Sequence, residues 1–250
     1  MRLDIHAACD RGLLRRDNED MVLAAGRFIR DGIFDVELEV RDGDILFFAV
    51  ADGLGGAPAG EVASETALRF FDAQVGKLAP GLGLGDLRRF FQDLTAHAHG
   101  ELRRAGDRDP RLRGMGTTLT GFLLYGGEWS WVNIGDSRAY LLGAEGPVRL
   151  SRDHSLREAT GRPDAPSHIL VNCLGGGSPD AYCDFGAVGG LSRTGGALLL
   201  STDGLHDLLG DRRIGSITAE NPLNPVPALV AAAKEAGGRD NISCLHLRAA

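Results

Sequence analysis

Several acidic residues of this chain stand where an apolar run meets a turn. Asp52 follows FFAVA, Asp136 follows SWVNIG, and Asp203 follows ALLLST. Asp240 precedes NISCLHL, and Glu19 with Asp20 precedes MVLAA. If those runs are neighbouring strands, their carboxylates converge at one edge of a sheet. Such a cluster repels itself and is costly without a counter-charge. A hard divalent cation supplies one, and oxygen-only ligation selects Mg²⁺, Mn²⁺ or Ca²⁺ over Zn²⁺. Few carboxylates and many waters is the habit of Mg²⁺ and Mn²⁺. The competing reading is that acids at strand ends are plain turn formers. It suffices for any one of them, but not for the whole set, each flanked by glycine or asparagine.

The stretch FFAVADGLGGAPAG (Phe47 to Gly60) adds glycines to one of these acids. A phosphate cradle, a metal ligand and a tight turn are all open to it. No Gly-Lys-Ser/Thr follows, so it is not a P-loop, and Pro58 occupies the third glycine position of a dinucleotide fingerprint. A turn in which the Gly53 carbonyl approaches a cation held by Asp52 fits better, because glycine lets backbone come close.

The elements that must position these residues are β-rich. IFDVELEV alternates, with Phe34, Val36, Leu38 and Val40 on one face and acids on the other, as a half-wet strand does. With the DGD turn and ILFFAVAD it reads as a β-hairpin. Helices are expected from Pro58 to about Gly76 and from Asp86 to Arg104, with Arg103 to Arg113 as a charged connector. TTLTGFLLY, EWSWVNIGD, RAYLLG and VRLS read as strands whose short gaps imply antiparallel neighbours. Residues 157 to 196 read as irregular. GALLLSTDG is another buried strand, PALVAAAKEAG a helix and DNISCLHLR a closing strand. Strand groups interrupted by a helix pair give an α+β fold with antiparallel sheet packed on helices.

The chain of 250 residues, 43% hydrophobic, is ample for a real core and is neither disordered nor fibrous. A net charge of -7 argues against a nucleic-acid partner. No apolar run approaches the ~20 residues that span a bilayer, and the charged N-terminus has no secretory pattern. No membrane is therefore expected. The scattered cysteines, Cys9, Cys173, Cys183 and Cys244, form no CxxC and read as free thiols of a reducing cytoplasm.

The ordered motifs resemble the metal-dependent serine/threonine protein phosphatases of type 2C, in their bacterial form. RRDNED (Arg15 to Asp20) is similar to that family's arginine and acidic pair, and VADGLGGAPAGEVAS to its central DG–GG–GE–AS block. GMGTTLTG, NIGDSRAYL, SRDHSL, LSTDGLHDLL and GGRDNIS are similar to its remaining segments, in the family's order, over residues 10 to 243. The resemblance implies one catalytic domain over 1–250, a four-layer α-β-β-α sandwich of two antiparallel sheets with a dinuclear metal site at one edge. It implies that Asp52 bridges two Mn²⁺ or Mg²⁺ ions, that the Gly53 carbonyl ligates one, and that Asp203 and Asp240 complete the other. Glu19 and Asp20 would hold metal-bound waters, and Asp136 with Asp203 a third, weaker ion. Arg15 would bind the substrate phosphate, a task suited to a guanidinium fork. The implied reaction is hydrolysis of phosphoserine and phosphothreonine in proteins by a metal-bridging hydroxide attacking phosphorus in line. Ser64, Ser137 and the cysteines are not needed as nucleophiles. A serine/threonine kinase and its targets are the partners the resemblance suggests.

Departures from the family pattern are local. Leu54 stands where eukaryotic members carry a histidine proposed as the leaving-group acid. His154 is expected to support structure. The segment of about 157–168 is shorter than the flap of many bacterial members, which implies a reduced flap and a more open or differently shaped substrate groove. His97 and His99 fall on different helix faces, and Trp129 with Trp131 reads as sheet cover. Two alternatives stand beside the phosphatase: a pseudophosphatase that binds without turnover, and a hydrolase of small phosphate esters. Retention of Asp52, Asp203 and Asp240 speaks against the former.

Overall fold

A strand whose odd and even positions are both apolar must be covered on both sides. β5 (Leu46–Ala51) is such a strand. Phe47, Ala49 and Ala51 enter one core, while Phe48 and Val50 enter another. The computed structural model describes residues 1–56, 58–189 and 196–249, and its two main sheets follow from that division.

One sheet runs β11 (Gly146–Arg149), β10 (Arg138–Gly143), β14 (Ala197–Ser201), β15 (Ile242–Ala249), β1 (Arg2–Asp10), β4 (Gly32–Glu39). The other runs β13 (Asp184–Ala187), β9 (Glu128–Ile134), β8 (Leu119–Tyr125), β5, β2 (Met21–Ala24), β3 (Arg27–Ile29). A small ribbon, β12 (Leu174–Gly175), β7 (Gly116–Thr117), β6 (Gly53–Leu54), closes one end. The sheets face each other through Leu3, Ile5, Val22, Phe122, Leu198 and Leu245. α1 (Ala59–Val75) and α2 (Leu84–Arg108) cover the second sheet, with Leu68, Phe71 and Phe91 fully buried. α4 (Asp203–Glu220) and α5 (Val226–Glu235) cover the first through Leu205, Ile214 and Leu229. A short α3 (Leu156–Thr160) lies outside these layers. The expected α+β, four-layer α-β-β-α sandwich is therefore the observed one. Burying each large apolar side chain contributes about 1.5–3 kcal/mol, so the three cores set a rigid frame for the strand ends.

Register decides where those ends go. Met21 pairs with Ala51, Leu119 with Ile134, and Ser201 with Cys244. Arg138 pairs with Ser201, and Asp10 with Ile242. Every acid-bearing strand end named above thus falls at the same end of the sandwich.

The structure differs from the sequence reading at four places. β4 and β5 form no hairpin: β4 pairs with β1 in one sheet and β5 with β2 and β8 in the other. The connector expected over Arg103 to Arg113 is helical to Arg108 and continues as a 3₁₀ turn at Pro110–Leu112. Its charges occupy the wet face, while Leu102 and Gly106 stay buried. α4 follows a stretch read only as a strand: three glycines dilute its apolar spacing, and Gly210 interrupts it with φ +67°. Residues 157–189 include α3, β12 and β13, so they are less irregular than expected, while 190–195 lie outside the described residues.

Candidate active site

Asp52 leaves β5 with its main chain held on both sides. Its N–H donates to Thr118 Oγ1 at 3.0 Å, and its carbonyl accepts from Thr118 N and Thr117 Oγ1, each at 2.9 Å. Thr118 Oγ1 in turn meets Ser137 Oγ at 2.8 Å, which ties the Asp52 turn to the Asp136 turn. Gly53 is compelled by crowding: a Cβ there would run into the carbonyl oxygens of Gly60 and Glu19. A Cβ on Gly60 would collide with Glu19 Oε2, so this glycine makes room for a carboxylate at the start of α1.

Asp203 is the first residue of α4, after the Thr202 cap position. Thr202 Oγ1 donates to Asp20 Oδ2 at 2.8 Å and receives Ser243 N at 3.0 Å, joining β14, β15 and the entrance of β2. Asn241 locks the neighbouring loops. Its Oδ1 accepts from Glu19 N at 2.9 Å, and its Nδ2 donates to the carbonyls of Arg11 and Asp17 at 3.0 Å each.

The electrostatics show how close the acids lie. Burial pushes Asp52 well above the usual carboxylate range, and the charges of Asp20, Asp203, Asp136 and Asp240 push it further. Burial lifts Asp20 to about 7, against hydrogen bonds from Ser243 and Thr202. Burial and then Asp240 and Asp207 lift Asp203 to about 6, although contact with Asp52 lowers it. Asp136 is raised by burial, Asp203, Asp153 and Asp207. Glu19 is raised by burial, with Arg15 opposing. Asp52, Asp203, Asp20, Asp136 and Asp240 therefore form one interacting set, as the strand-end argument expected. Arg15 joins it: Nη2 donates to Asp240 Oδ2 at 2.6 Å, and this hydrogen bond raises the guanidinium pKa.

The donors are all oxygens, and two of them, Asp20 Oδ1 and Asp203 Oδ1, are buried with no hydrogen-bond partner. Unpartnered carboxylate oxygens in a like-charged cluster fit a hard divalent cation. Among the described residues, no three of these side chains already surround a single point as a finished metal cage. Arg15 on Asp240 and Thr202 on Asp20 hold two of the acids to protein partners instead.

His154 is fixed in a structural role. Its Nδ1 accepts from Gly135 N at 3.1 Å and from Asn172 Nδ2 at 2.6 Å, leaving Nε2–H for Asp184 Oδ2 at 3.2 Å. Leu54 lies half-buried in the ribbon. His97 is exposed, and His99 is buried with Nδ1 accepting from Gly175 N. Trp129 and Trp131 cover the inter-sheet core. Thr117, Thr118, Thr202 and Asn241 had no assigned role in the sequence reading. Thr202 and Asn241 adjoin Asp203 and Asp240 in sequence, whereas Thr117 and Thr118 lie in a strand-start segment with no acid beside it.

The family model described as Protein phosphatase 2C matches residues 23–234. The serine/threonine protein phosphatase PstP of Mycobacterium tuberculosis is 30% identical over 95% of this chain, which spans 43% of that protein's length. The serine/threonine phosphatase stp of Listeria monocytogenes is 29% identical over 94% of this chain and 92% of its own. A crystal structure of M. tuberculosis PstP superposes with a TM-score of 0.77 at 27% identity, covering 99% of both chains. The catalytic domain of PstP in complex with two manganese ions does so with a TM-score of 0.76 at 27% identity. Most of this chain, its acid motifs in order and its four-layer fold agree: it belongs to the protein phosphatase 2C family.

Proposed function

We propose that this chain is a divalent-metal-dependent phosphatase of phosphoserine and phosphothreonine in proteins, acting as one catalytic domain. The observation that carries the reading is the convergence of Asp20, Asp52, Asp136, Asp203 and Asp240 beside Arg15, with two buried carboxylate oxygens left unpartnered. Asp52, the Gly53 carbonyl, Asp203 and Asp240 would hold a pair of Mn²⁺ or Mg²⁺ ions. Glu19 and Asp20 would order the waters around them, and Asp136 with Asp203 would hold a weaker third ion. When bound, such ions supply an activated water and neutralise phosphoryl charge.

The chain's own residues supply position. The cores fix the strand ends, and Thr117 with Thr118 fixes the carbonyl of Asp52. Arg15 is half-exposed and reaches the acid edge, so its second guanidinium nitrogen is available to a phosphoryl oxygen. Thr202 orients Asp20 as a hydrogen-bond acceptor for an ordered water. No side chain is needed as a covalent nucleophile. His154 donates to Asp184 and is committed there, so the proton for the departing alcohol comes from ordered water. The reduced segment at 157–168 leaves the groove open to a protein substrate, and a serine/threonine kinase would supply that substrate. The buried free thiols suit a reducing compartment such as the cytoplasm. Among the described residues no helix is long and apolar enough to cross a membrane.

The test is Mn²⁺-dependent hydrolysis of a phosphothreonine peptide and of nucleotide monophosphates, by the wild type and by Asp203→Asn. Activity on the peptide that is lost in the variant is expected. Equal rates for the two proteins would remove the metal-site assignment. A strong preference for nucleotides would replace a protein substrate with a small ester.

A further inference from the structure

We propose that the exposed pair Leu13–Leu14 is a specificity surface that takes an apolar side chain flanking the phosphorylated residue of a peptide substrate. This inference rests on the phosphatase reading of the acid edge. Leu14 is 70% exposed and Leu13 59%, and they are the only adjacent exposed large hydrophobics among the described residues. Scattered single apolar residues on a surface are ordinary. Adjacent ones next to a reacting edge are not explained by that rule.

The loop that carries them cannot fold the pair away. Asn241 Nδ2 binds it on both sides, at the Arg11 and Asp17 carbonyls. Leu13 N donates to Gly238 O at 2.8 Å, Gly12 N to Asp10 Oδ1 at 2.8 Å, and Arg11 Nη1 to Arg16 O at 3.1 Å. Gly12 has φ +75°, and a Cβ on it would strike the Asp240 carbonyl. Loop and acid edge are therefore packed backbone to backbone, and the leucines are presented to solvent by a fixed frame.

The occupant follows from the neighbour. Leu14 precedes Arg15, whose guanidinium lies on Asp240 at the acid edge. A phosphoryl group engaged by Arg15 brings the flanking residues of its peptide to the leucines. Charge does not offer a rival selection here. The cleft of about 550 Å³ on this loop is lined by Arg11, Arg16, Arg30 and Lys234 against Asp10, Asp17, Asp31 and Glu61, so the signs balance.

The experiment compares kcat/KM on phosphothreonine peptides carrying leucine or glycine on either side of the phosphoresidue, with p-nitrophenyl phosphate as an ester without flanking residues. The wild type is expected to prefer a leucine peptide by about tenfold, the value of partly burying one such side chain. Leu13→Ser/Leu14→Ser should abolish that preference through KM, with kcat unchanged and with the small ester still hydrolysed. Leu14→Met should keep it. A wild type without preference, or a serine variant that retains it, overturns the inference while leaving the phosphatase reading intact. A wild type inactive on every phosphoester overturns both.

Discussion

Asp240 and Asp136 both face Asp203, yet the protein compensates only one of them. Asp240 has the Arg15 guanidinium at 2.6 Å and its own following amide, Asn241 N, at 2.9 Å. Asp136 has no ion pair among the described residues. The nearest guanidinium in sequence, Arg138, is committed to Asp153 by a bidentate contact, with its closest N–O distance 2.7 Å. Asp52 shares the condition of Asp136, raised by burial and by four neighbouring acids. One shoulder of the acid edge is therefore neutralised by the chain itself. The other needs a proton or an imported cation, which is how a folded frame stores affinity for a metal.

Replacing an acid on each shoulder breaks the comparison most directly. Asp52→Asn and Asp240→Asn should each lower Mn²⁺-dependent kcat by about three orders of magnitude. In chelator their stabilities should part. Asp52→Asn removes a repelled charge and should raise the melting temperature by about 2–4 °C per kcal/mol relieved. Asp240→Asn strips Arg15 of its partner and should leave the melting temperature unchanged or lower it. Calorimetry that gave both variants the same rise would show that Arg15 compensates nothing.

Arg15 offers the next largest effect. Arg15→Ala should reduce kcat/KM on a phosphopeptide by about a hundredfold, with Arg15→Lys intermediate, because a point charge replaces a fork. Steady-state kinetics with Mn²⁺ saturating separates this from lost metal. A KM that does not move in Arg15→Ala would confine the arginine to holding Asp240.

Much of this edge was legible in the sequence, because short acids at the mouths of apolar runs are a local signal. Its register was not. The turn chemistry of DGD suggested a hairpin, but β4 alternates as an edge strand does and β5 is apolar on both faces as a central strand is. That conflict was present in the residues and outweighs the turn. The roles of Asn241 and Thr202 have no local sequence signal, because their partners lie far away in sequence, at Arg11, Asp17, Glu19 and Asp20. The helix α4 has a weak sequence signal because its apolar positions, Leu205, Ile214 and Ile217, find their partners only in the Tyr140 and Leu199 face of the sheet.

The uncompensated shoulder also has a pH signature. Asp20 titrates near 3.8 when exposed and at about 7 in the fold, with burial the main cause. Stability from its protonated form is fully present below about pH 4 and is lost as pH rises through 7. His206 and His246, buried and held neutral, act in the opposite direction on acidification. Subtracting the curve of Asp20→Asn cancels them, since asparagine still accepts from Thr202. In chelator the wild type should fall below the variant progressively between pH 4 and 7, by about 4 kcal/mol at pH 7.5. Urea melts at several pH values measure this, and a flat difference would mean that Asp20 is charged throughout.

The smallest effect separates the two shoulders most finely. Asp136 faces Asp203, Asp153 and Asp207 and is raised by burial before any of them. On the reading proposed above it would hold only a third, weaker ion together with Asp203. Asp136→Asn should therefore leave kcat at saturating Mn²⁺ within about fivefold of wild type, while raising the Mn²⁺ concentration needed for half activity. In chelator it should be more stable than the wild type, as Asp52→Asn is, because both remove a charge that no guanidinium answers. A variant that lost activity as completely as Asp52→Asn would move Asp136 from the rim of the metal site to its centre. Arg15 with Asp240 would then be the one place on the acid edge, among the described residues, where a guanidinium already answers a carboxylate.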